Sequence, residues 1–205
     1  MSVRDTSIDP RLLESARKEF MERGFLKAEL KTICDNAGVT TGAVYKRYRG
    51  KEELFRAVVQ ETADMLDSFI ALRRGIDFAR MTDEDVRTTW IMNEKSILEM
   101  FRMLWDIREG FVLLLEKSAG TVYENYGHDF ALRMTEAYMQ YYRETKKRGL
   151  AEAEISETEM HMLCSSFWMA VYEPFIHGMN WQEIQEHCRV LCRCFDWAEA
   201  ILLKK

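Results

Sequence analysis

The sequence predicts an all-α fold of about nine helices. Apolar residues recur every three or four positions, no stretch alternates convincingly with period two, and only 2 prolines and 10 glycines interrupt the 205 residues. With 47% hydrophobic and 31% charged residues, the chain cannot be mostly disordered. Its length allows one large domain, or a small domain joined to a larger one.

The ends and apolar faces of the first four helices can be located in the sequence. Pro10 suits the first position of a helix that Gly24 ends, since proline needs no N–H partner there and glycine tolerates the left-handed conformation. A second helix is expected over residues 30–36 and a third over residues 40–47. Apolar residues at helical spacing then predict a long fourth helix over residues 51–75.

Capping pairs predict where the later helices begin. Three such pairs occur: Thr82 with Asp85, Ser156 with Glu159, and Asn180 with Glu183. Four glycines indicate breaks or irregular turns: Gly110, Gly120, Gly127 and Gly149. Pro174 must kink or end the helix that starts at Ser156, because it has no N–H to donate to the carbonyl of Ala170. The last two long helices are therefore expected over residues 156–173 and 181–203.

Three features predict a cytoplasmic protein with no membrane partner. No apolar run approaches the roughly 18 residues that a bilayer span requires. The first residues contain no apolar stretch that could serve as a signal peptide. Five cysteines are an odd number, and three of them lie within residues 188–194, which is not a secreted disulfide framework.

The net charge of −5 argues, taken as a whole, against a nucleic-acid partner. The charge is unevenly distributed, however. Residues 1–55 hold 11 Lys and Arg against 9 Asp and Glu, a balance of +2, which leaves −7 for the remainder. From Lys31 to Lys51 there are five basic residues and one acidic residue, Asp35, with Tyr45 and Tyr48 interleaved. A basic cluster alone is more often a solvated helix end than a binding surface.

The sequence in front of that cluster changes its interpretation. Ala37-Gly38-Val39 joins two short predicted helices in the form of a helix-turn-helix. Gly38 accepts positive φ in the turn, and Val39 supplies an apolar plug. Thr40 is a good N-cap for the helix that follows. Gly42 is unexpected there, because glycine inside a helix costs about 1 kcal/mol relative to alanine.

Taken together, these features resemble the DNA-binding domain of the tetracycline-repressor (TetR) family of bacterial transcription regulators. The resemblance extends from Leu12 to Leu54, roughly the first quarter of the chain, and rests on a set of positions rather than on any one. These are Leu12, Leu13, Ala16, Phe20, Gly24, Phe25, Ile33, Ala37, Gly38, Val39, Thr40, Gly42, Val44, Tyr45, Tyr48, Lys51, Glu52, Glu53 and Leu54.

The resemblance implies a helix-turn-helix DNA-binding domain over residues 1–54 and a helical ligand-sensing and dimerisation domain over residues 55–205. It implies a homodimer, more often a repressor, that binds a palindromic double-stranded operator and is released by a small hydrophobic or aromatic effector. By matched position, the DNA-binding residues would be Thr40, Thr41, Gly42, Ala43, Tyr45, Lys46, Arg47 and Lys51. Two positions depart from the family: Ala28 replaces a usual Thr or Ser, and Arg47 replaces a commoner His or Tyr.

The larger remainder is rich in aromatic residues and methionine, which either build a helical core or line a pocket. The candidate ligand-binding residues are Trp90, Met103, Trp105, Phe111, Tyr123, Tyr138, Tyr142, Phe167 and Trp168. The resemblance also suggests that the last two helices pair with their copies in a four-helix dimer interface. The candidate interface residues are Phe167, Val171, Ile184, Cys188, Leu191 and Phe195.

Two alternative functions remain open from the sequence. Cys188 and Cys192 share a helix face and could serve a thiol- or metal-sensing regulator, although Cys194 points elsewhere and no Cys-x-x-Cys is present. A helical interaction protein that does not bind DNA is the other alternative. No His-Glu-x-x-His, Glu-x-x-His or phosphate-loop pattern occurs, so neither an enzyme nor a metal or other cofactor is expected.

Overall fold

The computed structural model describes residues 8–202, which form α-helices, one short 3-10 helix (Phe78–Arg80) and an isolated β-bridge between Ala151 and Leu202. The α-helices are α1 (Ile8–Lys27), α2 (Leu30–Ala37), α3 (Thr41–Tyr45), α4 (Lys51–Arg74), α5 (Asp83–Thr88), α6 (Glu94–Asp106), α7 (Arg108–Glu116), α8 (Tyr126–Lys147), α9 (Glu157–Ile176), α10 (Trp181–Cys194) and α11 (Trp197–Ile201). The all-α prediction is confirmed. Within the described residues, no helix combines the length and the apolar character that a membrane crossing needs.

The break at Gly24 and the three predicted capping pairs are confirmed, but α1 already includes Ile8, so Pro10 is not its first residue. Backbone dihedrals leave the helical region at Gly24 (φ 69°, ψ 164°), so α1 is interrupted there before a last turn to Lys27. All three expected capping boxes form. In each, the side chain of the capping residue accepts a hydrogen bond from the backbone N–H three residues later, and the acidic side chain of that later residue accepts one from the backbone N–H of the capping residue. Local hydrogen bonding therefore determines where α5, α9 and α10 begin.

Three predicted helix boundaries were wrong. Gly110 lies inside α7 and Gly127 in the first turn of α8, whereas Gly120 (φ 85°) and Gly149 (φ 69°) do occupy left-handed turns. The helix expected over residues 181–203 is broken after Cys194. Asp196 accepts a hydrogen bond from the backbone N–H of Glu199 at 2.9 Å and so starts α11 as a new N-cap.

Pro174 lies near the end of α9, which stops two residues later at Ile176. Proline has no N–H to donate to the carbonyl of Ala170. That carbonyl instead accepts a hydrogen bond from Nε2 of His187 on α10 at 2.7 Å. Because a carbonyl only accepts, this contact requires the proton on Nε2. A side chain from the next helix therefore satisfies the polar group that the proline leaves open.

The chain forms two compact units, and each of them is made of two separate stretches of sequence. The first contains the described residues up to Leu66 together with Ile107–Gly127, and the second contains Asp67–Asp106 and the residues from His128 onward. Helix α4 contributes residues to both. The boundary expected at residue 54 concerned function and remains a prediction, whereas the packing units divide the chain elsewhere.

The first unit is built around α1. Helices α2 and α7 both pack on α1, and Phe20 and Phe55 are fully buried with ring centroids 5.0 Å apart. The hydroxyl of Ser15 donates to the carbonyl of Ile33 at 2.8 Å, which joins α1 to α2. Residues 107–127, the returning segment, belong to the same unit. A hydrogen bond from the N–H of Phe25 to the carbonyl of Lys117, at 2.9 Å, holds this segment against α1. Residues 107–127 are thus part of the core beneath the helix-turn-helix.

The second unit combines apolar packing with a few buried polar contacts. The indole N–H of Trp90 donates to Oγ1 of Thr145 at 2.9 Å, and both residues are buried. Arg148 joins the end of α8 to the segment before α5, because its guanidinium donates to the carbonyls of Phe78 and Met81 and pairs with Glu144 at 2.7 Å. Helix α10 packs against α6.

Candidate nucleic-acid interface

The turn between α2 and α3 has the geometry of a helix-turn-helix. Gly38 adopts the left-handed conformation (φ 66°, ψ 37°), and its N–H and that of Val39 bond to carbonyls in the last turn of α2. The hydroxyl of Thr40 accepts from the N–H of Ala43 at 3.2 Å and caps α3. Ile33 and Val44 are fully buried, so they fix one helix against the other. The predicted turn and cap are therefore confirmed.

The outer side of α3 is open. Thr40, Thr41, Gly42, Tyr45 and Lys46 are exposed, with 61% of Tyr45 accessible, and Ala43 is half-buried. A Cβ placed on Gly42 would meet only the hydroxyl of Thr40, at an ordinary 3.9 Å. The packing of the chain itself therefore does not require glycine there. A glycine that lowers helix stability without an internal packing reason leaves room for something outside the protein.

Arg47 is not placed with these exposed residues. Its guanidinium is paired with Asp9 through an Nε to Oδ1 contact of 2.5 Å, and Nη1 donates to the carbonyl of Ala43 at 3.2 Å. Only 9% of its side chain is exposed. Arg47 thus joins the end of α3 to the beginning of α1, and its charge is already matched within the unit.

Lys51 likewise has partners within the chain. Its ammonium donates to the carbonyls of Leu26 and Ala28, at 3.2 and 2.9 Å, and lies 4.6 Å from the centre of the Phe25 ring. Desolvation lowers the pKa of Lys51 below the ordinary lysine value. The side chain therefore stabilises the α1–α2 corner.

Another side chain replaces the capping hydroxyl that is missing at Ala28. Helix α2 has no side-chain cap from its own N-cap residue, Glu29. The carboxylate of Glu19, which is buried in α1, accepts from the N–H of Glu29 at 3.1 Å instead. A hydroxyl at position 28 is thus not needed to begin the helix, although it would have offered a contact to phosphate.

Sequence reasoning missed two arginines near the turn. Arg11 is exposed on α1, and its Nη1 lies 4.0 Å from the position that a Cβ on Gly38 would occupy. Arg56 lines a shallow cavity of about 310 Å³ with Arg49 and Gly50 at the start of α4. Neither adjoins the basic cluster in sequence, and only the folded helices bring them to this end of the unit.

The candidate ligand-binding residues fall into both units. Phe111 and Tyr123 belong to the first unit, where the Tyr123 ring lies 6.4 Å from Phe55. The others belong to the second: Trp90, Met103, Trp105, Tyr138, Tyr142, Phe167 and Trp168. Tyr142 is fully engaged, since its hydroxyl contacts the carbonyl of Ala153 and the N–H of Ile155, both at 2.9 Å. Tyr142 and Trp90 therefore have structural partners.

Most candidate interface residues are buried within the second unit. Phe167, Val171, Ile184, Cys188 and Leu191 are covered by their own chain, and Phe195 is half-buried in the break before α11. A side chain that its own unit buries offers little surface to a second copy. The apolar residues exposed on the same two helices are Met162, Met169 and Val190.

Cys34, Cys164 and Cys188 are buried, whereas Cys192 is half-buried and Cys194 is exposed. Desolvation, with smaller effects of Cys192 and Glu94, raises the pKa of Cys188 to about 12, and burial also raises the pKa of Cys192. Both thiols therefore stay protonated at neutral pH, which disfavours thiol sensing. Within residues 8–202 there is no group of three or more His, Cys, Asp or Glu side chains that could hold a metal ion.

Comparison with known proteins places this geometry among helix-turn-helix regulators. Residues 12–58 match the family model described as bacterial regulatory proteins, tetR family. The transcriptional repressor AcnR of Corynebacterium diphtheriae is 28% identical over 92 residues, which are 44% of this chain and 48% of AcnR. The transcriptional regulator UidR of Escherichia coli is 32% identical over 77 residues, 37% of this chain and 39% of UidR. The chain thus matches less than half the length of each relative.

The fold is shared over a longer stretch. The structure of SmeT, the repressor of the Stenotrophomonas maltophilia multidrug efflux pump SmeDEF, aligns with 96% of this chain and 91% of its own, with a TM-score of 0.62 and 18% identity. At 18% identity, this likeness shows that the two proteins share a fold. The match to the tetR family is confined to the N-terminal helices, over residues 12–58 of the 205.

Proposed function

We propose that this protein is a transcriptional repressor that binds a palindromic operator through α2 and α3 and is released by a small-molecule effector. The observation that carries the proposal is the open face of α3. Thr41, Gly42, Tyr45 and Lys46 are exposed there on a helix whose other side is fixed in the core. Such a face suits the major groove, where backbone contacts fix the register and side chains read bases.

The protein acts as a homodimer in this proposal, because a palindrome requires two helix-turn-helix units with half-sites about 34–36 Å apart. The proposed interface is formed by α9 and α10 of both copies, and it is supported by three exposed apolar residues, Met162, Met169 and Val190. They are 62%, 52% and 57% exposed on helices whose opposite faces are buried. Met162 and Met169 are seven residues apart and so lie on one side of α9.

An effector would act by shifting a population. A ligand that binds better to one arrangement of the second unit moves the dimer away from the spacing that fits the operator. A coupling free energy of about 1–3 kcal/mol is typical of such regulation. Support comes from α4, which carries residues of both units in one continuous helix.

DNA binding is tested with the DNA upstream of the protein's own gene. Lys46→Ala should weaken binding to every sequence and lower the dependence of log K on log salt by about one, because it removes one phosphate contact. Fluorescence anisotropy at several salt concentrations measures both effects. Lys95→Ala, an exposed lysine on α6, is the matched control and should change neither. Absence of binding by the wild type, or equal effects of the two substitutions, would contradict the proposal.

The dimer is tested by placing charge on its proposed interface. Met169→Glu and Val190→Glu should each shift the sedimentation of the protein from dimer to monomer, because an unpaired carboxylate would be buried there. Leu72→Glu, on α4 and 76% exposed, is the control for a charge on an exposed apolar site. If all three variants remain dimeric, the interface lies elsewhere.

A further inference from the structure

Arg73, in the last turn of α4, has an unusual environment in the second unit. Its guanidinium carbon lies 4.7 Å from the centre of the Phe69 ring and 5.6 Å from that of Tyr138. Its Nε is buried and has no hydrogen-bond partner, and among residues 8–202 the side chain makes no ion pair. The next residue, Arg74, pairs with Glu136.

Packing alone does not account for this arrangement. A buried donor without an acceptor costs free energy, and a cation costs more than a neutral group. Two other arginines of the unit have a carboxylate partner, since Asp67 pairs with Arg133 and Glu144 with Arg148. The guanidinium of Arg73 faces the rings of Phe69 and Tyr138, and the residue as a whole is half-buried. The rings attract a cation weakly and give the buried Nε no acceptor.

The surroundings of Arg73 are aromatic and include a second hydrogen-bond donor. The Tyr138 ring stacks on Trp197 with centroids 5.9 Å apart and lies 6.1 Å from Trp90. No described residue accepts a hydrogen bond from the Tyr138 hydroxyl. Burial raises the pKa of Tyr138 and of Tyr141, with the charge of Arg73 acting in the opposite direction, so both phenols stay protonated at neutral pH.

We propose that Arg73 is the anion-recognition group of the effector site, with Tyr138 as a second donor. The ligand class is an amphiphilic anion: a carboxylate, or an equivalent oxyanion, on an aromatic or aliphatic body. The guanidinium and phenol N–H and O–H groups bind the oxyanion, and the rings of Phe69, Trp90 and Trp197 cover the apolar body. This assignment rests on the proposed function of an effector-responsive regulator.

Two dyes that differ by one charged group test the assignment. 1-Anilinonaphthalene-8-sulfonate carries a sulfonate, whereas N-phenyl-1-naphthylamine has the same aromatic body without it. Fluorescence titration of the full-length protein should show tighter binding of the sulfonate. Arg73→Gln should weaken sulfonate binding by about ten- to hundredfold while changing the affinity for the neutral dye less than about threefold. Decanoate should displace the bound dye at concentrations where decan-1-ol does not.

Two variants control for structure and charge. Arg74→Gln removes the neighbouring cation and should leave both affinities unchanged, while Arg73→Lys keeps the charge and should retain part of the sulfonate affinity. Circular dichroism and thermal unfolding establish that each variant is folded, and Arg73→Lys supplies the comparison if Arg73→Gln does not fold. Equal binding of the two dyes, or equal losses in Arg73→Gln and Arg74→Gln, would overturn the assignment.

The same proteins separate this inference from the proposed function. If the wild type binds its upstream DNA but Arg73→Gln binds the sulfonate normally, the anion site is refuted and the regulator proposal stands. If Arg73 governs sulfonate binding but no upstream DNA is bound, the anion site stands and the regulator proposal fails. If decanoate weakens DNA binding by the wild type and not by Arg73→Gln, both are supported.

Discussion

The cations beside the helix-turn-helix differ in what they touch, although the sequence places them within six residues. Lys46 is exposed, Arg47 is paired with Asp9, and Lys51 is bound to two backbone carbonyls. A count of charges treats the three alike. Their chemistry differs because a cation with intramolecular partners contributes to folding, whereas a solvated one keeps its donors for a phosphate.

Arg47 and Lys46 should therefore give opposite results on substitution. Arg47→Ala leaves Asp9 and the carbonyl of Ala43 without their donor, so the free energy of unfolding should fall by about 1–3 kcal/mol. Lys46→Ala should change it by less than about 0.5 kcal/mol, as expected for an exposed site. Urea denaturation followed by circular dichroism measures both. A stable Arg47→Ala variant with weakened DNA binding would instead assign Arg47 to the operator.

Helix–helix contacts are the level at which sequence interpretation was least complete. Caps were predictable, because a Ser or Asn and the acid three residues later form a local pattern, as at Ser156 and Asn180. The interior position of Gly110 was not, since the reason for glycine there is a neighbour far away in sequence. A Cβ on Gly110 would lie 2.1 Å from Oγ1 of Thr62, so α7 approaches α4 too closely for any side chain.

The residues of the candidate sites also differ in whether the sequence could predict their contacts. The turn at Gly38 and the cap at Thr40 were evident from residue types, because each needs only its neighbours in the chain. The pairing of Arg47 with Asp9 spans 38 positions, and Arg73 is surrounded by residues from other helices. Likewise, the apolar stripe of α10 was visible in the sequence, but whether it faced α6 or a second copy depends on tertiary packing.

The close contact of α4 with α7 gives a test at this scale. Gly110→Ala should lower the free energy of unfolding by about 1–3 kcal/mol, because the added methyl group overpacks against Thr62. Thr62→Ala removes the hydroxyl and methyl groups that it meets, so the double variant should recover part of the loss. Denaturation of the two single variants and the double variant gives the coupling energy. Strict additivity would show that the two residues do not interact.

At the scale of the molecule, charge and packing divide the chain differently. The surplus of positive charge lies in residues 1–55, and the remainder is acidic, so the proposed DNA contact is expected in that first part of the chain. The packing unit that contains the helix-turn-helix nevertheless extends to Leu66 and includes Ile107–Gly127. The region proposed to bind DNA is thus smaller than the region that must fold to present it.

A fragment ending at Leu66 should accordingly fail to fold by itself. Without residues 107–127, the N–H of Phe25 loses its acceptor at Lys117 and the face of α1 that packs on α7 is exposed. We expect low helicity and no cooperative thermal transition by circular dichroism. Addition of a peptide spanning residues 107–127 should raise the helicity. A cooperative transition in the isolated fragment would show that the returning segment is dispensable.

The returning segment also limits how binding specificity can move between relatives. Arg17 pairs with Glu109, and Leu26 covers Gly120 so closely that a Cβ there would lie 2.5 Å from its Cδ2. A recombination event that exchanged only residues 1–54 would place a foreign α1 against this α7 and break these matches. A transplant of DNA recognition must therefore carry two separate stretches of the gene, so this helix-turn-helix is not a detachable N-terminal cassette.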